Sequence, residues 1–415
     1  MSLPMRPITP EECGKFWYAI HVPFGERTND RLLERWQALV EYDRTLAVFE
    51  SNDRIVATAG AFSFDLTLPG ATTIPVAGVT WVGVHPTHRR QGLLTQLMAR
   101  QLEDVAARGE PVATLFASES SIYSRFGYGR ATHQCYLEID RRDARFASVP
   151  AAETTGHLTM LDPEEAATVF PTVYDQVRRQ QPGAVTRSPE FWGMFFQSDA
   201  EPTEGFGSTY YVSWSSPGAD TVEGVASYHI KPSWPAGFPA NTLEVKDLWA
   251  TSPAAYAGLW RYLFSVDLVG TIQAGRRPVD EPLRWLLADS RRLRFTRTVD
   301  ELWVRLVDIP AALSARRYRG SGTLVLKVAD AFRPQTAGTY RLEVESEGAS
   351  CRAASGSSSA VDLELDVADL GAAYLGGVSF TTLAQAGRVE ATPGALARAD
   401  LLFGTARPPS CGTPF

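Results

Sequence analysis

The chain reads as an α/β fold that gives way to an α+β one, and three observations carry that reading. A β-branched and aromatic strand runs into a basic turn and then an amphipathic helix between Val76 and Tyr128. The same strand-helix-strand order returns between Thr242 and Ala274. Beyond residue 300 strands come first and helices later, the order of an α+β unit. At 415 residues the chain is too long for one ordinary core, so two or three domains are expected.

The N-terminal elements can be read from pattern and punctuation. Thr9-Pro10-Glu11-Glu12 is a helix start with early carboxylates, and Phe16, Trp17 and Ile20 share one face of the helix it opens. Leu32, Leu33, Trp36, Leu39 and Val40 make a second helical pattern. Strands then alternate with turns at Thr45 to Phe49, Ser51-Asn52-Asp53 and Ile55 to Phe64. Val79, Trp81 and Val82-Gly83-Val84 form a strand that stops at His85-Pro86. Leu93, Leu94, Leu97, Met98, Leu102, Val105 and Ala106 recur at spacings of three and four, with Gly109 ending the helix.

Between that strand and helix lies Thr87-His88-Arg89-Arg90-Gln91-Gly92. Such a turn can hold phosphate, because first-turn amides have no intrahelical partners and the helix dipole favours an anion there. Gly92 is expected to let a pyrophosphate approach the backbone, while Arg89 and Arg90 add charge. Val112 to Ala117 is a second buried strand, leading into Ser118-Glu119-Ser120-Ser121-Ile122-Tyr123-Ser124-Arg125-Phe126-Gly127-Tyr128.

Arg89-x-x-Gly92-x-Leu94 resembles the coenzyme A motif of the GNAT acetyltransferases, with Leu94 where a small residue is usual. Together, Pro86 to Leu94 and Ala117 to Gly129 resemble the actinobacterial Eis (enhanced intracellular survival) family of multi-domain GNAT N-acetyltransferases. The match reaches Pro310-Ala311-Ala312-Leu313, Tyr374-Leu375-Gly376-Gly377 and the terminal Phe415, and so covers the whole length. It implies a catalytic GNAT domain over 1–145, a degenerate GNAT-like domain over 146–297, and a sterol-carrier-protein-like α+β domain over 298–415 that supplies the C-terminal carboxylate.

The pattern beyond residue 145 accords with that division. Composition resets after Pro150-Ala151-Ala152, and helices are expected at Glu164 to Gln180, Pro189 to Phe196 and Ala254 to Phe264. Strands are expected at Thr209 to Trp214, Gly224 to Ile230, Thr242 to Trp249 and Gly270 to Ala274. No Arg-x-x-Gly turn accompanies this second strand-helix-strand, which is either a repeat without its cofactor site or a coincidence of α/β periodicity. Arg291-Arg292-Leu293-Arg294 reads as a solvated helix face and Ala353 to Ala360 as an exposed loop. Strands are expected at Trp303 to Leu306, Gly322 to Val328, Tyr340 to Val344 and Asp362 to Val367, then helices at Asp366 to Tyr374 and Ser379 to Ala386.

A hydrophobic content of 44% with 21% charged residues is that of a globular protein. The formal net charge of −7 argues against nucleic acid as a partner and leans toward cationic substrates. Cys13, Cys135, Cys351 and Cys411 lack metal-chelating or redox spacing, so reduced thiols, no metal and a cytoplasmic location are expected. No apolar run is long enough to span a bilayer.

Acetyl transfer from a thioester to an amine needs an aligned thioester, a neutral amine, an oxyanion donor and a proton for the departing thiolate. The resemblance implies acetyl-CoA as co-substrate, lying along Val82, Gly83 and Val84, with Gly83 leaving room for it. Arg89, Arg90, Gln91, Gly92, Leu93, Leu94 and Thr95 would hold the pyrophosphate, with Ser118 and Glu119 nearby. Tyr123 would protonate the thiolate, since a phenol with a reference pKa of ~10 is protonated at neutral pH. The family's base is the terminal carboxylate, here Phe415, although the tail otherwise reads as a frayed end. Phe24, Glu26, Trp36 and Trp81 match the acceptor pocket, and Pro414 stands where relatives carry an acidic residue. The implied acceptors are cationic amines such as aminoglycosides, or lysine side chains, and the implied assembly is a homohexamer. A different class remains open, in which the chain only binds coenzyme A and a lipid.

Overall fold

The computed structural model describes residues 3–26, 28, 30–148, 155–198, 205–219, 221–354 and 360–415. Pro150-Ala151-Ala152 lies outside them, as does most of the run 353–360. The chain opens with β1 (Met5–Arg6), α1 (Cys13–His21), α2 (Asp30–Gln37), β2 (Leu46–Phe49), β3 (Ile55–Thr67) and β4 (Thr73–Val84). It continues with α3 (Leu93–Ala107), β5 (Val112–Phe116), α4 (Ser120–Tyr123) and β6 (Gly129–Arg130). A second unit begins with β7 (His133–Asp140), β8 (His157–Leu161), α5 (Pro163–Arg178), α6 (Pro189–Ser198), β9 (Tyr210–Ser215) and β10 (Gly224–Lys231). It is completed by β11 (Asn241–Ala250), α7 (Pro253–Ser265), β12 (Val269–Pro278) and β13 (Arg294–Asp300).

The chain then returns to the first unit with β14 (Leu302–Leu306) and α8 (Ile309–Ala315). A smaller sheet is built from β15 (Gly322–Ala329), β16 (Gly338–Glu345), β17 (Gly348–Ala353) and β18 (Leu363–Asp366), with α9 (Val367–Tyr374), α10 (Phe380–Gln385), β19 (Val389–Ala391) and α11 (Ala395–Phe403). The basic run 291–294 is not a helix face. Ser290–Arg292 is a single 3-10 turn whose start is held by Asp289, and Arg294 begins β13.

The first unit holds two sheets. Its larger one has the order β1-β2-β3-β4-β5-β14-β6. β4 and β5 are parallel and joined through α3, which buries Leu93, Leu97, Met98, Leu102 and Val105. β14 lies antiparallel to both β5 and β6, so a strand from the far half of the chain completes the N-terminal sheet. Glycines allow α9 to dock on that strand pair. A Cβ on Gly129 would stand 1.8 Å from the Ala368 carbonyl oxygen, and one on Gly371 would stand 2.3 Å from that of Val304. The smaller sheet runs β17-β16-β15-β18-β19.

The last residues are not frayed. Glu301, fully buried beside β14, accepts hydrogen bonds from the Cys411 amide at 2.9 Å, the Gly412 amide at 2.8 Å and the Thr132 hydroxyl at 2.9 Å. The Ser410 amide donates to the Pro182 carbonyl at 2.9 Å, and Gln181 Nε2 to that of Pro408 at 3.0 Å. Residues 181–185 in turn bond to the end of β3, with Thr67 N–H donating to Ala184 and Gly183 N–H to Thr67.

The second unit has one described sheet, ordered β13-β7-β12-β11-β10-β9-β8. β11 and β12 are parallel and joined through α7, which repeats the arrangement of β4, α3 and β5. Its core packs Trp214, Trp260, Leu243, Leu259, Leu263 and Ile272 together.

Glu301→Gln replaces a carboxylate that accepts on both oxygens with an amide that accepts on one. The variant should lose about 1–3 kcal/mol of unfolding free energy, read in urea denaturation of the first unit; an unchanged midpoint would deny the clamp any role in stability.

Candidate active site

Two features of β4 open the site. Its ladder with β5 runs from Val76–Val112 to Val79–Leu115 and stops, although β4 continues to Val84. Its register with β3 slips between the pairs Gly60–Thr80 and Thr58–Gly83, so Trp81 and Val82 together oppose Ala59. Such a bulge bends its strand. Trp81 has φ 55°, a left-handed conformation that costs a bulky residue on the order of 1–3 kcal/mol. Thr58 Oγ1 donates to the Trp81 carbonyl at 2.8 Å. Gly60 makes room for the indole, since a Cβ there would stand 2.5 Å from Trp81 Cε3.

The parted seam leads into two cavities that share Phe24, Val82, Ser118 and Tyr123. The first, of about 490 Å³, is bounded by Val82, Gly83 and Val84 and by Arg89, Arg90 and Gly92. Leu93, Leu94 and Thr95 from the first turn of α3, with Ser118 and Glu119, complete it. Gln91, expected among them, instead turns its side chain back toward the Thr87 carbonyl. Gly92 occupies the N-cap of α3 at φ 79°, and no side chain caps that helix start. The amides and dipole of a 15-residue helix therefore face this cavity beside two arginines.

Two glycines of this site differ in what surrounds them. A Cβ on Gly92 would meet no protein atom closer than Gln96 Nε2 at 3.9 Å, so the φ of 79° is the demand for glycine that the chain itself makes here. A Cβ on Gly83 would stand 2.8 Å from Pro23 Cγ, so the space left there is taken by the turn after α1. Arg89 Nη2 also bonds the Pro23 carbonyl at 3.2 Å, tying the basic turn to the same segment.

The second cavity, of about 500 Å³, gathers all four predicted acceptor residues, Phe24, Glu26, Trp36 and Trp81, with Tyr123 and Phe415. Its walls are aromatic. The Trp36 ring centroid lies 4.8 Å from those of both Trp17 and Trp81. Phe415 packs 5.0 Å from Phe64 and 4.9 Å from Phe116. Tyr123 is buried where the cavities meet. Burial pushes its phenol above the ordinary value, a hydrogen bond with Ser118 pulls against that, and Glu119 adds to it. The phenol is thus a proton donor at neutral pH.

Sequence reasoning missed Trp17 and His21 as lining residues. The signal was their i, i+4 spacing on α1, which puts both on one face immediately before Phe24.

The second unit presents the corresponding elements closed. The β11–β12 ladder also stops, at Val245–Ala274. Buried Arg277 then donates to the Leu248 carbonyl at 3.1 Å and pairs with buried Glu281 at 2.9 Å, bridging the strands. At the start of α7, Ser252 Oγ accepts from the Ala255 amide and donates to the Glu223 carboxylate at 2.8 Å. Pro253 has no amide hydrogen to offer.

Comparison with known proteins places these features in a wider group. Models of the acetyltransferase (GNAT) domain match residues 4–131 and 183–306, and a sterol carrier protein domain model matches 309–412. An uncharacterized N-acetyltransferase of Streptomyces avermitilis is 43% identical over 99% of this chain and 98% of its own length. The N-acetyltransferase Eis of Mycobacterium tuberculosis is 34% identical over 88% of this chain and 87% of its own. The crystal structure of Eis1 from Mycobacterium abscessus superposes with a TM-score of 0.86 at 35% identity, covering 99% of this chain and all of that one.

A Cβ on Gly78 would stand 2.5 Å from Phe64 Cε2 and 3.2 Å from Phe415 Cε2. Gly78→Ala should therefore unseat the terminal ring, at a cost of about 1–3 kcal/mol. Carboxypeptidase should release Phe415 faster from the variant than from the wild type, and equal rates would show that the ring adjusts without leaving.

Proposed function

Because this chain belongs to the Eis family of GNAT N-acetyltransferases, with two GNAT domains and a sterol-carrier-protein-like domain, we propose that it acetylates amines of cationic acceptors such as aminoglycosides by direct attack on acetyl-CoA. The observation that carries this reading is the position of Tyr123, the acidic group common to both cavities. The co-substrate's pyrophosphate would sit on the start of α3 beside Arg89 and Arg90. Its pantetheine arm would pair with the edge of β4 that β5 leaves free beyond Val79. The acceptor amine would enter the aromatic cavity, where Trp36, Trp81 and Phe24 offer ring faces to a cation and Glu26 a counter-charge.

In this scheme the neutral amine attacks the thioester carbon and a C–N bond forms. The tetrahedral oxyanion is steadied by a backbone amide of the bulged strand. Collapse breaks the C–S bond, and Tyr123 protonates the sulfur. In the family the terminal carboxylate is the base, and that of Phe415, a residue lining this cavity, would draw the proton off the ammonium or hold the ammonium for a neighbouring base. An α-carboxyl and a lysine-type ammonium differ by about seven pKa units in water, so this base needs an amine that the aromatic walls have already partly desolvated. Lysine side chains are the alternative acceptor. A protein that only binds coenzyme A would have no use for a terminal residue clamped into the cavity through Glu301. A homohexamer and a cytoplasmic location complete the proposal.

The test is free-thiol release from acetyl-CoA with an aminoglycoside panel and a lysine-containing peptide. Release with a multi-amine aminoglycoside supports the reading, and binding of coenzyme A without release from any acceptor removes it. Tyr123→Phe should lower kcat by roughly 10²-fold or more while acetyl-CoA binding, measured by calorimetry, hardly changes. Since burial raises the phenol, wild-type kcat should show no alkaline decline below about pH 10. Removal of Phe415 should lower neutral-pH turnover by roughly 10²-fold, leaving a measurable remainder; full activity would eliminate any part for the terminal carboxylate.

A further inference from the structure

His21 occupies the last position of α1 and lines the aromatic cavity. Its Nδ1 lies 2.7 Å from the Trp17 carbonyl oxygen. A carbonyl can only accept, so Nδ1 carries the hydrogen and the lone pair of the neutral ring resides on Nε2. The ring also packs edge-on against Trp17, with centroids 4.2 Å apart, which fixes its plane. Nε2 has no hydrogen-bond partner among the described residues. A histidine satisfied as part of a core would have both nitrogens engaged or enclosed. This one has its tautomer and orientation set from behind, an Nε2 without a partner among the described residues, and a place in the lining of a cavity shared with Tyr123 and Phe415.

Resting on the acetyltransferase reading of this site, we propose that Nε2 of His21 takes the proton from the acceptor's ammonium group before attack. The ammonium gives a proton to Nε2, which later releases it to solvent. The resulting amine forms the C–N bond, and C–S cleavage comes next, with transfer of the Tyr123 proton to sulfur. The tyrosinate then recovers the second proton that the nitrogen loses. One proton is released for each acetyl group moved, and no covalent enzyme intermediate arises. The Phe415 carboxylate then orients the ammonium and stabilises the charged imidazole. An imidazole is a stronger base than an α-carboxylate by about three pKa units in their reference states, which makes it the better match for an amine. The titratable residues that line the cavity with His21 are Glu26 from the turn after α1, Tyr123 from α4 and the terminal Phe415.

The experiment measures kcat and KM for thiol release from pH 5 to 9, using whichever of the aminoglycosides or the lysine peptide the wild type turns over. It compares wild type, His21→Ala, His21→Gln and the Phe415 deletion, each checked for an intact thermal transition and coenzyme A binding. In the wild type, kcat/KM should rise with pH along a limb that requires His21. His21→Ala should lose roughly 10²-fold in kcat, with KM nearly unchanged and that limb absent. His21→Gln keeps volume and an acceptor atom but cannot take a proton, and should not recover the loss. Added imidazole should partly restore His21→Ala, and the Phe415 deletion should keep the limb. Near-wild-type kcat and pH profile in His21→Ala, recovery in His21→Gln, or loss of the limb with Phe415 would each overturn the proposal. A wild type that binds coenzyme A but turns over no acceptor would defeat the acetyltransferase reading, and this proposal with it.

Discussion

The buried Glu301 carboxylate is the constraint on which the site's arrangement depends. It sits directly before β14 and accepts from two amides of the tail and from Thr132, so one side chain links the N-terminal sheet, the returning strand and the terminus. Burial pushes its pKa up, and these hydrogen bonds pull against the rise. A carboxyl with a raised pKa holds its proton more tightly folded than unfolded. Its contribution to stability is therefore largest at acid pH and declines as the pH climbs out of the ordinary carboxylate range. The fold accepts that cost, and Phe415 is thereby set against Phe64 and Phe116 in the lining of the aromatic cavity.

From this anchor strand geometry arranges the rest of the site. β14 fills the place between β5 and β6, which secures the far edge of β5. On its near edge β5 parts from β4 after Leu115, and β4 carries the bulge at Trp81 and Val82 just beyond that point. Tyr123 lies just beyond β5 and Trp81 on the bulge, so the parting of one strand pair sets both residues around one opening. Gly60, Gly78 and Gly129 each remove a Cβ where a ring or a carbonyl must approach.

Local order was well written in the sequence. The strand ending at His85-Pro86, the helix from Leu93 and the strand at Val112 are all present with shifts of a residue or two at their ends. The cofactor-side residues also gather as read, except Gln91. What was not legible depended on pairing at long range. Leu302–Leu306 is apolar enough to be a buried strand, but periodicity names no partner, and its neighbours in the sheet lie far back in the chain. The tail reads as loose because its residues are small and proline-rich, and the group that orders it is 110 residues away. The run 291–294 misled because three arginines suit an exposed strand start as well as a helix face. Gly83 packs against Pro23 and Gly92 takes a left-handed φ, demands for glycine that stand beside ligand clearance and that sequence alone does not separate from it.

The two strand-helix-strand repeats show which of these features make a site. Both have a parallel strand pair that stops early, and both have a bulge in the preceding antiparallel ladder. The difference lies in a few side chains. In the first repeat a glycine N-cap leaves the amides of α3 without a side-chain partner, and nothing on β5 reaches across to β4 beyond Leu115 in the described ladder. In the second, Ser252 uses its hydroxyl on the helix's own amide, Glu223 brings a negative charge to the place an anion would take, and Arg277 donates to a β11 carbonyl. Ser252 and Arg277 each satisfy a backbone group of the second repeat from within the chain, as buried backbone polar groups must be paired. A seam left open must be completed from elsewhere, by water or by a ligand, and in the first repeat no side chain of the described ladder completes it.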